Sequence, residues 1–236
     1  MASFKIEPLQ IDDLEEFTRL YWAAFEPLDA DMVMPMIYPG GLQHDLMERL
    51  KKRVLQETDG KLSDFCFCAR DLQSGEMVAV AWWALVEHPA KNQQEIDTVW
   101  EQANKARNGG APVAEMNSAL GEAFLRAAVY AEYNMIRGQP YMSLRLLATH
   151  PAHHRRGAGS LLLRQGLEKA DRLNLPVYLD AGVNGRPLYL RHGFTVTSDF
   201  PFDGRQHGGR SEGKHWCMLR PAQDIDAAAK GPRAQR

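Results

Sequence analysis

Residues 141–173 read YMSLRLLATHPAHHRRGAGSLLLRQGLEKADRL. Met142, Leu144, Leu146 and Ala148 alternate with Ser143, Arg145, Leu147 and Thr149, the period of a strand. His150-Pro151 stops the run, because proline fixes its own φ and offers no N–H to a ladder. A basic turn follows, His153-His154-Arg155-Arg156-Gly157-Ala158-Gly159-Ser160. From Leu161 the apolar residues Leu163, Leu167, Ala170 and Leu173 fall at the spacing of an amphipathic helix.

A strand, a glycine-bearing turn and a helix together form a cradle for an anion. The first turn of a helix has backbone N–H groups with no internal partner, and the macrodipole makes that end positive. Gly157 and Gly159 remove the Cβ atoms that would hold a phosphate away, and Arg155 and Arg156 add charge suited to phosphate oxygens. The Walker pattern is absent, since Gly159 is followed by Ser160 and no lysine. The dinucleotide fingerprint also fails, because Leu162 stands where its third glycine belongs.

The spacing His154-Arg155-Arg156-Gly157-Ala158-Gly159 instead resembles the coenzyme A signature of the GNAT acetyltransferases, [QR]-x-x-G-x-[GA], with His154 at the Gln/Arg position. Downstream, after Val177 to Leu179, the run Asp180-Ala181-Gly182-Val183-Asn184-Gly185-Arg186-Pro187-Leu188-Tyr189-Leu190-Arg191-His192-Gly193-Phe194 resembles the same family's strand and short helix carrying L-Y-x-x-x-G-F. Two ordered signatures separated by one helix identify the chain as a member of the GNAT superfamily, of the fungal or bacterial small-molecule type.

The resemblance implies an α+β GNAT (acyl-CoA N-acyltransferase) fold: a mixed, mostly antiparallel central sheet flanked by helices. It implies acetyl transfer from acetyl-CoA, as co-substrate and without a metal, to the amine of a small molecule by direct attack in a ternary complex. The diphosphate is then expected on the N–H groups of Arg156, Gly157, Ala158, Gly159 and Ser160, beside His154 and Arg155. In the family the fourth and fifth strands splay apart and admit the pantetheine. That assigns Leu147, Ala148 and Thr149 to backbone pairing with it and brings Asn184 near the thioester arm. Tyr189 takes the family's position for protonating the departing thiolate: a phenol of pKa about 10 stays protonated at neutral pH and can donate to a thiol of pKa roughly 8.5. The alternative for Tyr189 is a core tyrosine with a satisfied hydroxyl. For the base that must deprotonate the amine, Glu87, His88, His150 and Asp180 all lie at expected strand ends and none is singled out.

Composition sets the bounds. A chain of 236 residues suits one domain, 1–220, with a tail of Ala, Lys, Arg, Gln and Gly over 221–236 expected to be disordered. The net charge of −2 gives no reason to expect nucleic acid. No run reaches membrane-spanning length, and Met1-Ala2-Ser3-Phe4-Lys5 lacks a signal-peptide core, so a cytoplasmic enzyme, monomer or homodimer, is the expectation. Cys66 and Cys68, two apart on an expected strand, read as reduced, packed thiols. Zinc is not implied by His153-His154, because adjacent histidines in a basic loop repel a cation.

Elsewhere the reading is simple. Phe4 to Leu9 opens as a strand, and Asp12-Asp13 caps a helix with Leu14, Phe17, Tyr21, Ala24 and Phe25 on one face, ended by Pro27. Met32 to Tyr38 is rich in methionine, and the resemblance makes it a wall of the acceptor site; an apolar loop folded on the core is the other reading. Asp29 and Asp31 could attract a cationic acceptor. A helix is expected over Leu42 to Thr58, and a hairpin from Phe65 to Asp71 and Met77 to Glu87, with Trp82 and Trp83 on opposite faces.

Residues 88–138 depart from the minimal family pattern: helices over Gln94 to Arg107 and Val113 to Met135, broken at Gly109-Gly110 and Pro112, form a helical insertion between the third and fourth strands. Trp100, Phe124, Tyr130 and Tyr133 either roof an acceptor pocket or seat the insertion on the core. Thr195 to Phe200 and Lys214 to Leu219 close the sheet around a glycine-rich tip, Asp203 to Gly213, expected to be mobile, with His207 exposed and without a role. A protein or peptide N-acetyltransferase, which would want an open groove, and a non-catalytic CoA-binding module are the competing functions.

Overall fold

A computed structural model describes residues 3–25, 33–108, 113 and 115–223. The expectations placed on Pro27, Asp29, Asp31 and Met32, on the break at Gly109-Gly110 and Pro112, and on the tail from residue 224 lie outside the described residues.

One sheet of seven strands runs in the order β1-β2-β3-β4-β5-β7-β6. Its strands are β1 (Phe4–Pro8), β2 (Cys66–Asp71), β3 (Met77–Val86), β4 (Tyr141–Thr149), β5 (Val177–Gly182), β6 (Thr195–Asp199) and β7 (His215–Arg220). All neighbours are antiparallel except β4 and β5, which is the mixed, mostly antiparallel sheet expected. Helices α1 (Leu14–Phe25), α2 (Val33–Ile37), α3 (His44–Glu57) and α4 (Leu62–Phe65) precede β2. Helices α5 (Gln93–Asn108) and α6 (Ser118–Ile136) fill the span between β3 and β4, α7 (Ala158–Arg172) follows β4, and α8 (Arg186–Arg191) follows β5.

The alternation along β4 does not mark a single face. Trp82 pairs with Leu146 while Trp83 pairs with Leu144, so Arg145 is an extra residue, a β-bulge. The bulge reverses the phase of the strand. Met142 and Leu144 enter the core beneath α7, whereas Leu146 and Ala148 enter the core beneath α1. The same irregularity coincides with a parting of strands. Among the described residues β4 pairs with β5 only at Met142↔Val177 and Ser143↔Tyr178, and from Leu144 onward the facing edge of β4 has no partner strand. An unpaired run of N–H and C=O groups in the middle of a sheet is an open slot for an extended ligand.

Trp82 and Trp83 take opposite faces, as expected, and both are buried, Trp82 against Leu14 and Phe17 and Trp83 against the α7 side. Cys66 and Cys68 share the α1 face; they and Cys217 are buried, free thiols. Burial pushes the Cys66 thiol up to about 12 and the Cys68 thiol up to about 11, so neither is a nucleophile at neutral pH.

The expected mobile tip at Asp203 to Gly213 is instead a folded turn. Asn117 Nδ2 donates to the His207 carbonyl at 3.2 Å and Gly204 N–H to Glu212 O at 2.9 Å, which ties the turn to the start of α6. The glycines there mark close packing: a Cβ on Gly209 would stand 2.7 Å from Leu120 Cδ1. His207 is exposed, stacked on Phe202.

Candidate active site

The turn after β4 builds a bed of free donors. Arg155 adopts φ +61° and Gly157 φ +96°, and Gly157 caps α7 in the left-handed region. Leu161 N–H makes the first bond into the helix, to Gly157 O at 3.1 Å. The N–H groups of Arg156, Gly157, Ala158, Gly159 and Ser160 have no partner among the described residues. The two glycines serve different ends. Nothing lies within 4 Å of a Cβ at Gly157, so its positive φ is what requires glycine; a Cβ at Gly159 would stand 3.3 Å from Thr149 Oγ1, so there the helix start lies close against β4.

The side chains of this turn divide the work. Arg155 is exposed and forms no ion pair among the described residues, which leaves its charge for a ligand. Arg156 points elsewhere: its Nη2 donates to Asp71 Oδ2 at 2.8 Å, its Nη1 meets His153 Nδ1 at 2.6 Å, and its guanidinium lies 4.9 Å over the Phe4 ring. What Arg156 has left to offer a ligand is its backbone N–H. The His154 ring is 2.9 Å from the Thr149 carbonyl through Nε2, which ties the turn to the end of β4. Ser160 Oγ is 2.8 Å from His192 Nε2. Burial first, and then Arg164, Arg191 and Arg220, hold His192 below the usual imidazole range.

A cavity of about 1470 Å³ runs from this turn along the slot between β4 and β5 to the helices on the far side. Leu147, Ala148, Thr149, His154, Arg155, Gly157, Ala158, Gly159, Ser160, Asn184 and Tyr189 all line it; of the residues expected at the site only Arg156 does not. The far end is bordered by α1, α2, α3, α5 and α6, through Tyr21, Phe25, Ile37, Arg53, Val99 and Phe124 among others. Of the aromatic residues singled out in residues 88–138, Phe124 and Tyr133 line the cavity. Trp100 and Tyr130 instead join α5 to α6, with Arg126 over both rings and Tyr130 Oη donating to Asp97 Oδ1 at 2.5 Å. Met34 and Tyr38, from the methionine-rich stretch, line the cavity as well.

Tyr189, on α8, lines the cavity. Its ring is edge-on to Phe194 at 5.8 Å, the side chain is 7% exposed, and its hydroxyl has no hydrogen-bond partner among the described residues. Burial, and then the negative charge of Asp180, push the phenol well above its ordinary range, so it is a proton donor at any neutral pH.

Five carboxylates line the cavity, Asp45, Glu48, Glu57, Glu132 and Asp180, and the last three differ in their surroundings. Glu132 accepts from Tyr141 Oη at 2.7 Å and from Arg145 Nη1. Glu57 accepts from Arg53 Nε at 2.8 Å. The Asp180 carboxyl makes no ion pair and no hydrogen bond to another residue among the described residues, and burial pushes its pKa up. Of the four strand-end candidates for the base, only Asp180 lines the cavity. His150 accepts from Ala152 N–H at 3.3 Å as a turn residue. His215 was not legible as a site residue; β7 carries it into the cavity opposite Gly182. Nothing local in the sequence signals this, because the pairing of residues 182 and 215 is long-range. No group of three or more metal-ligating side chains exists among the described residues.

The profile of the acetyltransferase (GNAT) family matches residues 77–194. Similar solved structures include a mosquito arylalkylamine N-acetyltransferase (like 5b), 13% identical with TM-score 0.65, covering 93% of this chain and 100% of that one. A Drosophila melanogaster polyamine N-acetyltransferase that forms N-acetylagmatine is 15% identical with TM-score 0.63, covering 92% and 97%. Chaetomium thermophilum Naa20, solved with a bisubstrate analogue, is 16% identical with TM-score 0.55, covering 94% and 89%.

Proposed function

Because the chain belongs to the acetyltransferase (GNAT) family, we propose that it transfers the acetyl group of acetyl-CoA directly to the amine of a small molecule while both are bound. The observation that carries this reading is the continuity of one space: a donor-rich helix start, an unpaired edge of β4 and a chamber between the helices all border the cavity that Tyr189 lines.

The chain's own groups supply binding, orientation and a proton. The diphosphate of coenzyme A lies on the N–H groups of Arg156 through Ser160, at the positive end of α7, with Arg155 at its edge. The pantetheine amides pair with the free edge of β4 at Leu147, Ala148 and Thr149, as an added strand would, and Asn184 lines the same slot. The acetyl thioester then lies at Tyr189. The amine nitrogen attacks the carbonyl carbon, the C–S bond breaks as the tetrahedral intermediate collapses, and the departing thiolate takes the Tyr189 proton. The chamber beyond, bordered by α2, α3, α5 and α6, is of a size that suits a small amine.

The test measures acetyl-CoA consumption with a panel of amines, with peptides and with no acceptor, in the wild type and in Tyr189→Phe. Amine-dependent turnover, lowered about 100-fold by Tyr189→Phe with acetyl-CoA affinity unchanged, supports the reading. Turnover only on peptides, or an unchanged rate in Tyr189→Phe, rejects the small-amine chamber or the acid role respectively.

A further inference from the structure

We propose that Asp180 and His215 form the acceptor's station on the cavity wall, Asp180 holding the ammonium and His215 Nε2 removing its proton before attack. This rests on the small-amine reading above and adds the two residues that would hold and deprotonate that amine.

The placement follows from strand register. β5 and β7 are antiparallel, with Asp180 opposite Cys217 and Gly182 opposite His215. Residues directly opposite share a face, and so do residues two apart in a strand, so Asp180, Gly182 and His215 all project on one side. All three line the cavity that Tyr189 lines. Gly182 contributes no side chain between the other two, and His215 Nε2 lies 3.5 Å from where a Cβ on Gly182 would be. The gap is therefore bordered by a carboxylate and an imidazole nitrogen.

The imidazole is fixed for the task. His215 Nδ1 is 2.7 Å from the Gly213 carbonyl, which can only accept, so Nδ1 carries the hydrogen and Nε2 of the neutral ring has its lone pair free. Phe124 at 5.6 Å and Phe200 at 5.9 Å hold the ring by their contacts. The other charged groups acting on Asp180 are Glu132 of α6 and Arg145 of β4, and these are paired with each other. Of Glu57, Glu132 and Asp180, only Asp180 lacks an ion-pair partner among the described residues, and an alkylammonium supplies one.

The step balances. The ammonium gives one proton to His215 Nε2 and thence to solvent, and the free amine forms the C–N bond to the thioester carbonyl. The nitrogen loses its second proton as the C–S bond breaks, Tyr189 protonates the thiolate, and the proton released from nitrogen returns to the phenolate through water. The sum is ammonium plus thioester giving amide, thiol and one proton.

The experiment uses the full chain, acetyl-CoA, and two acceptors of one shape: 2-phenylethylamine and its β,β-difluoro analogue, whose ammonium is much more acidic and so needs little help to lose its proton. In His215→Gln, kcat for 2-phenylethylamine should fall about 100-fold or more, and that for the fluorinated amine only a few-fold. In Asp180→Asn, KM for 2-phenylethylamine should rise roughly tenfold or more. Both variants should bind acetyl-CoA as the wild type does, by calorimetry. Equal losses on both amines in His215→Gln overturn the base, because a packing role is blind to amine basicity. An unchanged KM in Asp180→Asn overturns the ammonium site. Independently of any variant, the wild-type complex with CoA should bind 2-phenylethylamine about tenfold more tightly than 2-phenylethanol, and equal affinity overturns the site. A wild type that turns over neither amine overturns the small-amine reading and this proposal with it.

Discussion

The Arg156 guanidinium turns away from the helix start beside it and donates to Asp71 Oδ2 at 2.8 Å, across the sheet from the anion bed. Asp71 is itself fixed, accepting from Gln73 N–H at 2.9 Å at the β2–β3 turn. A hairpin turn therefore anchors the loop that presents the free N–H groups. Asp71→Asn should raise KM for acetyl-CoA several-fold and leave kcat nearly unchanged, because nothing at the reacting atoms moves; steady-state kinetics at fixed amine checks it. The Gln73 N–H first, and then Arg156, hold the Asp71 carboxyl below the ordinary carboxylate range. A depressed carboxyl stabilises the fold above its unfolded value of about 3.9, and that contribution is lost as pH falls through the lower folded value. The anchor is thus intact at every pH above about 4, and acetyl-CoA affinity should not weaken through this group between pH 5 and pH 8.

Gly166 faces the Trp83 indole so closely that a Cβ there would stand 2.0 Å from Trp83 Cε2. The indole belongs to the core under α7 and has nowhere to retreat. Gly166→Ala, which favours a helix intrinsically, should still destabilise by about 1–3 kcal/mol through overpacking. At this chain length that lowers Tm by about 2–12 °C in a thermal melt.

Buried Glu132 pairs with partly buried Arg145, with Tyr141 as a third member. Attraction to Glu132 and Glu57 outweighs desolvation and holds the Arg145 guanidinium charged. Glu132→Ala strands that cation and should cost about 3–5 kcal/mol in denaturant unfolding. The double variant Glu132→Leu/Arg145→Met should recover most of the loss, short of about 1–3 kcal/mol for the Tyr141 hydroxyl left unpaired.

The turn at residues 150–160 and the helix after it were legible because local chemistry specifies them: a proline to stop the strand, glycines for φ and close approach, and apolar residues at helical spacing. The sheet order and the parting of β4 from β5 came from the family resemblance and not from spacing. The bulge at Arg145 escaped notice since the sequence alternates straight through it; only the register with Trp82 and Trp83 reveals the phase change. Arg155 and Arg156 look interchangeable on paper, yet a carboxylate distant in sequence claims one and leaves the other free. The same holds for His215, which nothing but strand pairing brings opposite Gly182. Glycines at Gly204 and Gly209 suggested looseness and mark tight packing.

The most direct test of the account titrates the purified chain with acetyl-CoA in a calorimeter, wild type against Gly157→Glu. The substitution forces a side chain into φ +96° and puts a negative charge at the start of α7, where the account places the diphosphate. The account predicts saturable binding by the wild type and an affinity at least about tenfold weaker in the variant, with the melting temperature of the ligand-free chain lowered only modestly. Equal heats and equal affinities in the two proteins would contradict it.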